Sequence, residues 1–245
     1  IPASLIVLGG GVIGCEFACL FAGLGSKDTV VEMLPSILPM IDKELSKTMA
    51  REMKKLGIEV LSGSPLEKIV ADKKSVSGTA AGNEVSADCM LVSIGRSPSL
   101  KELNIAAAGV KTNEKGWIPV DSKARTNVPN IFAIGDVTGR TQLAHFASAM
   151  GVCAAENACG GRSEFREDLV PGCIFTTPEI GTVGLTEEQC AEKNLKVKTG
   201  KFPFAALGKA MAINETTGFC KIIASAESDQ ILGIHILGPH ATDLI

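Results

Sequence analysis

The sequence predicts an α/β fold that opens with a parallel sheet and closes with a mixed α+β segment. Over the first 62 residues, short apolar runs alternate with segments of helical period, the order expected of β-α-β-α-β with right-handed crossovers. Short β-like runs then take the place of the next crossover helix. From residue 169 onward strand-like runs dominate, so we expect the last third to form an α+β unit of its own.

The opening β-α-β-α-β unit is predicted element by element. Its three strands are short apolar runs of the kind that fills a buried parallel strand, at residues 4–8, 29–32 and 58–61. A glycine turn and a helix over about residues 12–24 join the first two strands. Asp42 is the expected N-cap of the second helix, which Gly57 should end.

The remaining elements follow from shorter patterns. Runs without helical period predict a β-meander at residues 66–71, 76–79 and 84–86, and a return to a buried strand at 90–94. Beyond Pro98 we expect a loop-rich connector, strands at 117–120 and 130–134, and an Ala-rich helix over 141–159. A capping box, Thr186 to Gln189, announces one helix in the last third. Strands are predicted around that helix at 173–177, 180–183, 195–202, 219–224 and 231–237.

The glycine turn contains the pattern G-x-G-x-x-G at Gly9, Gly11 and Gly14. Because the turn follows a predicted strand and opens a predicted helix, a dinucleotide-binding loop is favoured over a glycine turn without a ligand. Gly9 permits the tight turn, Gly11 lets the backbone approach a pyrophosphate, and Gly14 lets the helix pack on the strand. The helix N-terminus would offer its N–H groups to the phosphates.

Two carboxylates accompany this loop. Glu32 ends the next predicted strand, where it can accept hydrogen bonds from the hydroxyls of an adenine ribose. A 2′-phosphate would meet like charge there, so the sequence favours NAD(H) over NADP(H). Glu16 lies in the first turn of the helix, where the helix dipole stabilises an anion. The residues alone leave a structural and a functional role for Glu16 equally open.

Composition argues against several kinds of partner. Lys and Arg number 24 against 27 Asp and Glu, a net charge of −3 that lacks the basic footprint of nucleic-acid binding. Residues 3–25 carry Glu16 as their only charge, but six glycines and this Glu favour a strand, turn and helix over a membrane span. We expect a cytoplasmic protein with no membrane partner. The eight cysteines fit no zinc spacing, and Cys15 and Cys19 are expected to be buried thiols.

Taken together, the chain resembles the flavin-dependent pyridine nucleotide–disulfide oxidoreductases, and within them most closely the dihydrolipoamide dehydrogenases. Seven segments carry the resemblance in the family's order: GGGVIGCE, VEMLPSILPMIDKELSK, LVSIGRSP, TNVPNIFAIGDV, QLAH, FTTPEIGTVGLTEEQ and ILGIHILGP. They are spread over nearly the whole chain, which makes the resemblance far more specific than the glycine turn alone.

The resemblance implies three domains and two cofactors. A Rossmann-like NAD domain would span residues 1–97, the C-terminal half of an FAD domain 98–168, and a truncated interface domain, expected to form a homodimer, 169–245. The residues it places at NAD are Gly9, Gly10, Gly11, Val12, Ile13, Gly14, Glu16, Glu32, Leu66 and Gly95. Of these, Glu16 would lie near the nicotinamide, and Leu66 and Gly95 on the adenosine side.

For FAD, the resemblance assigns the ribityl and phosphate part to Gly135 and Asp136. It brings the backbone of Gln142, Leu143, Ala144 and His145 to the flavin ring. A purely structural role for His145 stays open. In such an enzyme electrons pass from dihydrolipoamide through a redox disulfide and FAD to NAD+, and its partners are 2-oxo acid dehydrogenase or glycine cleavage complexes.

Three motifs of the family are not in this sequence: the first G-x-G-x-x-G, which serves FAD, the redox-active C-x4-C pair and the H-P-x-x-x-E dyad. Neither His235 nor His240 is followed by the residues of the H-P-x-x-x-E dyad. Phe146 and Met150 stand at helix positions that are often charged in the family. We therefore expect a piece of a longer enzyme that binds NAD weakly, has largely lost FAD binding and does not turn over lipoamide alone. NADH oxidase, coenzyme A-disulfide reductase and mercuric reductase remain alternatives within the family. A non-catalytic nucleotide-binding or dimerisation module is the alternative outside enzymes.

Overall fold

The computed structural model describes residues 1–245, the whole chain. They form two compact units, one made of Ile1–Gly95 with Pro171–Ile245, the other of Arg96–Val170. The two stretches of the first unit share one core, in which Val7 and Met49 are buried together with Ile180 and Leu237. The N-terminal sheet and the C-terminal segment are therefore packed as one body.

The first unit opens with the predicted β-α-β-α-β arrangement. Its elements are β1 (Ser4–Leu8), α1 (Val12–Gly23), β2 (Lys27–Glu32), α2 (Lys43–Lys55) and β3 (Glu59–Ser62). The strands run parallel, and Val7 of β1 pairs with Val30 of β2. The predicted order is confirmed, with β2 beginning earlier and β3 ending later than the apolar runs indicated.

Helix α2 shows how its sequence fixes its position. Asp42 is the N-cap, and its side chain accepts a hydrogen bond from the Glu44 N–H at 3.0 Å. One face of the helix is buried along its whole length, at Leu45, Met49 and Met53. This i, i+4, i+8 spacing places the apolar side chains on one stripe against the core. Gly57 follows the helix in the left-handed region, so both predicted ends are confirmed.

The predicted β-meander follows α2 and β3. It consists of β4 (Glu67–Ala71), β5 (Val76–Ala80) and β6 (Asn83–Ala87), an antiparallel sheet of three strands. Val76 and Val85 are buried in one cluster with Ile6 and Val31 of the parallel sheet. The meander thus covers the face that a crossover helix would cover, and leads into β7 (Cys89–Val92), which pairs in parallel with β1.

The prediction of a buried strand at residues 90–94 is wrong in two respects. β7 ends at Val92, and the order β3-β2-β1-β7 makes it an edge strand. Val92 is exposed, and Ile94 beyond the strand is 72% exposed. Apolar content alone does not distinguish an edge strand from a central one, because the distinction depends on a neighbour that lies elsewhere in the chain.

The second unit is organised around α3 (Ala144–Ala158). Phe146 and Met150 of this helix are fully buried, and the Phe146 ring packs edge-to-face on Phe165 at 5.5 Å between ring centres. The two positions where the resemblance led us to expect charged residues therefore belong to the core of this unit. The Ala-rich helix is confirmed, although it begins three residues after the predicted position 141.

The strands predicted at residues 117–120 and 130–134 are not formed. The only ladder contact of this region is a single bridge between Arg125 and Phe132. The backbone is held instead by separate hydrogen bonds, such as those from the Ile118 N–H to the Val137 carbonyl and from the Ala133 N–H to the Ala124 carbonyl. An apolar, β-branched run becomes a strand only when a neighbouring strand pairs with it.

The C-terminal stretch of the first unit is α+β, as predicted. Its elements are β8 (Gly172–Ile174), β9 (Glu179–Gly184), α4 (Glu187–Glu192), β10 (Val197–Pro203), α5 (Gly208–Ala212), β11 (Phe219–Ser225), β12 (Ile231–Gly238) and α6 (Ala241–Leu244). The strands form one antiparallel sheet in the order β10-β11-β12-β9-β8. The capping box is present with both of its hydrogen bonds, while the strand predicted at 173–177 shortens to β8. No helix of the chain combines the length and apolarity needed to cross a bilayer.

Candidate nucleotide-binding site

The glycine turn between β1 and α1 is closely packed. A Cβ on Gly14 would lie 1.9 Å from the Gly9 carbonyl oxygen, and one on Gly9 would lie 2.5 Å from the Ser93 carbonyl oxygen. Gly9 also has φ +107°, which side chains rarely allow. The Ser93 hydroxyl bonds to the carbonyls of Leu8 and Gly9 at 3.1 Å each. Two of the predicted glycines are therefore required by the protein's own packing.

Gly11 differs from these two glycines. A Cβ placed on it would meet no atom within 4 Å, so its outer side is open. Gly11 is the N-cap residue of α1, and no side chain caps the helix. The helix thus begins beside open space, without a side-chain cap and with the positive end of its dipole at this turn. An anionic group such as a pyrophosphate fits this arrangement.

Glu32 lies at the end of β2, directly against the same turn. Its side chain is largely buried, with 9% of the residue exposed. One carboxylate oxygen accepts the Gly10 N–H at 2.7 Å, and the other accepts the Leu34 N–H at 2.7 Å. Each carboxylate oxygen retains a further lone pair for a hydroxyl donor. Gly9, Gly10, Gly11, Gly14 and Glu32 therefore lie together at the end of β1 and β2. Their contact with a nucleotide stays a prediction.

The two cysteines of α1 belong to the hydrophobic core and are not placed as reactive thiols. Cys15 and Cys19 are both buried, and the Cys15 thiol donates to the Gly10 carbonyl at 3.3 Å. Burial raises the pKa of both thiols above their ordinary value, so the reactive thiolate form is suppressed. All eight cysteines are unpaired. The expectation of buried thiols on this helix is confirmed.

Glu16 lies beyond the first turn of α1, which contains no acidic residue, so its expected place in that turn is wrong. It takes part instead in a contact that the sequence did not reveal. Its carboxylate accepts the backbone N–H of Phe175 at 2.8 Å, across 159 residues of chain. Phe175 follows β8 and exposes 66% of its surface. Glu16 therefore ties α1 to the end of β8, which gives it a structural role. Its predicted position near a nicotinamide stays a prediction.

The two residues predicted on the adenosine side differ in their surroundings. Leu66 precedes β4, and its side chain is buried in the meander core. Gly95 is exposed and has φ +126°, so its backbone takes a conformation that favours glycine. The contact of either residue with a nucleotide remains a prediction.

In the second unit, two of the predicted flavin residues line a cavity of about 270 Å³. Asp136 and Gln142 line it together with Arg96 and Trp117. Asp136 pairs with Arg96 at 2.8 Å, and both side chains are about half exposed. Gly135, at φ +71°, turns the backbone just before Asp136. A carboxylate at the rim of a cavity fits a group that offers hydroxyl donors, as a ribityl chain does.

The other flavin candidates lie at the start of α3. Leu143 is the residue before the helix and has an extended backbone, while Ala144 and His145 are exposed in the first turn. Arg96 is a partner of Asp136 that the sequence did not reveal, because the two residues lie far apart in the chain.

An ion cluster around a buried lysine and a buried aspartate joins α2 to the C-terminal sheet. We call it the Lys221 cluster, and its members are Lys221, Asp42, Glu44 and Glu187. Lys221 of β11 is only 3% exposed, and its ammonium lies 2.8 Å from the Asp42 carboxylate and in contact with Glu187. Burial alone would raise the pKa of the Asp42 carboxyl, but the hydrogen bond and charge of Lys221 hold that pKa below its usual range. Sequence patterns gave no sign of this cluster.

His235 lies opposite Lys221 on β12 and is also buried. Its Nε2 is 2.9 Å from the Leu185 carbonyl. Burial lowers the pKa of the imidazole, so this histidine is neutral near pH 7. It belongs to the structural surroundings of the cluster.

The comparisons with known proteins agree with the fold. The sequence profile of the pyridine nucleotide-disulphide oxidoreductases matches residues 1–151, and the profile of their dimerisation domain matches residues 170–245. The chain belongs to this family. The resemblance seen in the sequence and the α/β fold class are confirmed, and the family uses FAD together with NAD(P).

Among relatives, the dihydrolipoyl dehydrogenases of Chlamydia muridarum and Bacillus subtilis are 45% and 42% identical over all of this chain. The chain spans about half the length of these curated relatives, 53% in each case. Among solved structures, the HOCl-induced flavoprotein disulfide reductase RclA of Escherichia coli superposes with a TM-score of 0.88 at 31% identity, over 99% of this chain and 56% of its own. LpdA of Mycobacterium tuberculosis superposes with a TM-score of 0.91 at 28% identity, over 100% of this chain and 54% of its own.

Proposed function

We propose that this chain carries the NAD site of a flavin-dependent dihydrolipoamide dehydrogenase. The observation that carries the proposal is the Glu32 carboxylate, held by the Gly10 N–H beside the open face of Gly11. The first turn of α1 would bind the pyrophosphate, and Glu32 would accept hydrogen bonds from the adenine ribose. Glu16 would lie at the nicotinamide end, and Leu66 and Gly95 on the adenosine side.

The proposed overall reaction is oxidation of dihydrolipoamide by NAD+ to lipoamide and NADH, through a redox disulfide and FAD. The names of the relatives and their identity of 42–45% support it. None of the side chains of this chain is proposed as catalytic. Its contribution is to bind and orient the acceptor of the hydride, and the chain alone should be inactive with lipoamide.

On the flavin side, Gly135 and Asp136 would hold the ribityl and phosphate part, and the backbone of Gln142, Leu143, Ala144 and His145 would approach the ring. FAD, when bound, supplies the electron relay between dithiol and nicotinamide. Arg96 pairs with the same carboxylate, so it would share Asp136 with the ligand.

The domain proposal remains residues 1–97 for NAD, 98–168 for half of the FAD domain and 169–245 for the interface. A homodimer through the last domain is supported by the match to the dimerisation profile. Exposed apolar side chains on its sheet, among them Phe202 and Ile222, are in keeping with a covered face. We also propose that the parent enzyme associates with a 2-oxo acid dehydrogenase or glycine cleavage complex. Its proposed location is the cytoplasm.

Calorimetry with NADH and NADPH tests the nucleotide proposal. We expect NADH to bind at least about tenfold more tightly, because a 2′-phosphate would face the Glu32 carboxylate. Glu32→Ala should weaken NADH binding about 10- to 100-fold, the loss expected for hydrogen bonds to a charged group. Glu32→Gln, which keeps an acceptor without the charge, should narrow the preference for NADH over NADPH.

Glu59→Ala is the matched control, since Glu59 lies on the adjacent strand β3 and is exposed. Its affinity for NADH should equal that of the parent. Tighter binding of NADPH by the parent, or unchanged NADH affinity in Glu32→Ala, would contradict the proposal.

Flavin binding is expected to be largely lost in this chain, which has one dinucleotide loop and uses it for NAD. The purified protein should show no visible flavin absorbance. Trp117 is the single tryptophan and lines the cavity with Asp136, so its fluorescence reports on added FAD. We expect added FAD to quench this fluorescence only weakly, because little FAD binds; a yellow protein would contradict this expectation.

A second candidate is a disulfide reductase of the same family that acts on another substrate. The similarity to RclA, a flavoprotein disulfide reductase, at 31% identity over 99% of this chain supports this second candidate. Assay of the longer parent enzyme with dihydrolipoamide and with other thiol and disulfide substrates separates the two.

A further inference from the structure

We propose that Lys221 is a positioning residue of the nucleotide site. By holding Asp42, it would fix the loop of residues 33–41 against the glycine turn, so that the C-terminal sheet sets the geometry of the cradle. The inference rests on the proposed NAD site. Lys221 does not itself approach the glycine turn through any contact in the chain, and its effect would pass through Asp42 and the loop.

The loop of residues 33–41 packs directly on Gly10. The Leu38 N–H donates to the Gly10 carbonyl at 2.8 Å, and a Cβ on Gly10 would lie 2.8 Å from the Ile37 methyl group Cγ2. Ile37 and Leu38 are both fully buried. Since the Gly10 N–H is the one that Glu32 accepts, a displaced loop would disturb the residue that we place at the ribose.

Local sequence does not stabilise this loop on its own. Leu38 has φ +46°, a conformation that costs a branched residue free energy and must be imposed by its surroundings. The Ser46 hydroxyl of α2 donates to the Ile37 carbonyl at 2.7 Å, so the start of α2 holds the loop in place. The conformation of the loop therefore depends on the position of α2.

Asp42 is where α2 is attached to the C-terminal sheet. One carboxylate oxygen caps the helix through the Glu44 N–H, and the other accepts from the Lys221 ammonium at 2.8 Å. Asp42 is fully buried. Without Lys221, its charge would lie in the protein interior unpaired, and hydrating it would require the start of α2 to move.

The neighbouring strand supplies a matched control. Lys201 of β10 lies directly opposite Lys221 in the register and pairs with Glu44 at 2.5 Å. Its side chain is about half exposed, and it does not reach Asp42. Lys201 and Lys221 therefore share a residue type and an acidic partner, but only Lys221 holds the buried cap.

The experiment measures the dissociation constants of NADH and ADP-ribose by calorimetry, on variants shown by circular dichroism to be fully folded. Lys221→Met should weaken the binding of both ligands about tenfold, a typical size for a change transmitted through packed side chains. Lys201→Met should leave both dissociation constants within about twofold of the parent's values. The double variant Asp42→Asn/Lys221→Met, which removes both buried charges and keeps a capping side chain, should regain most of the affinity.

Parent-like affinity in folded Lys221→Met would overturn the inference, because a merely structural role changes the stability and not the affinity of the folded protein. If that variant does not fold, Asp42→Ala decides, since it removes both the cap and the link to Lys221; parent-like affinity there would overturn the inference equally. A parent that fails to bind NADH at all would instead reject the proposed function.

Discussion

Gly14→Ala is expected to unfold the first unit or to destabilise it by at least about 3 kcal/mol. The added methyl group would lie 1.9 Å from the Gly9 carbonyl oxygen, and the atom that must yield is backbone. Moving it would separate β1 from α1, whose contact buries Val7 and Cys15. Urea unfolding followed by circular dichroism measures the loss.

Gly11→Ala separates ligand binding from folding. No atom of the chain lies within 4 Å of the added methyl group, so the unfolding free energy should change by less than about 1 kcal/mol. The methyl group would project into the space proposed for the pyrophosphate, and NADH binding should fall below detection. Retained NADH affinity in Gly11→Ala would count against a pyrophosphate at this position.

Gly23→Ala is the control for both substitutions. Gly23 is the last residue of α1 and also has open space around its Cα. Alanine favours the helix by up to about 1 kcal/mol, so this variant should be as stable as the parent or slightly more so, with unchanged NADH affinity. A Gly14→Ala protein as stable as Gly23→Ala would show that the turn can relax where we expect it to be rigid.

The sequence predicts the parts of this fold that neighbouring residues determine. Strand β1, the glycine turn, the cap at Asp42 and the capping box at Thr186 each depend on side chains within a few positions of one another. For the same reason, Glu32 could be assigned to the glycine turn, since the spacing of a β-α-β unit brings the end of β2 beside it.

The parts that were missed depend on partners distant in the chain. The Asp42–Lys221 contact spans 179 residues, and the Glu16–Phe175 contact spans 159. The strands predicted at 117–120 and 130–134 failed because a strand needs a neighbour that no local pattern supplies. Burial of a charged residue such as Lys221 is likewise invisible in sequence, where a lysine in a strand is expected to face solvent.

Asp42→Ala is expected to lower the unfolding free energy by about 3 kcal/mol. The substitution removes the helix cap, worth about 1 kcal/mol, and one partner of a buried ammonium. Glu187 still pairs with Lys221, which keeps the loss at the lower end of the range for broken buried pairs. Asp42→Asn keeps a capping side chain, so it should recover the share of the unfolding free energy that the helix cap contributes.

The pH dependence of this effect has a definite sign. Because the pKa of Asp42 is lowered in the folded protein, its contribution is present above the unfolded pKa of about 3.9 and is lost as the pH falls toward the folded value. The parent and Asp42→Ala should therefore converge in stability as the medium is acidified below about pH 4. Urea unfolding between pH 7 and pH 3 would measure this convergence.

Asp28 provides the contrast, because it is a buried aspartate with the opposite surroundings. Neither carboxylate oxygen has a hydrogen-bond partner of normal geometry, and burial raises the pKa of its carboxyl. Its charged form is therefore unfavourable in the fold at neutral pH, and Asp28→Asn should stabilise the protein at pH 7 while Asp42→Asn destabilises it. Equal effects of the two substitutions would mean that burial alone, and not the Lys221 pairing, governs these carboxylates.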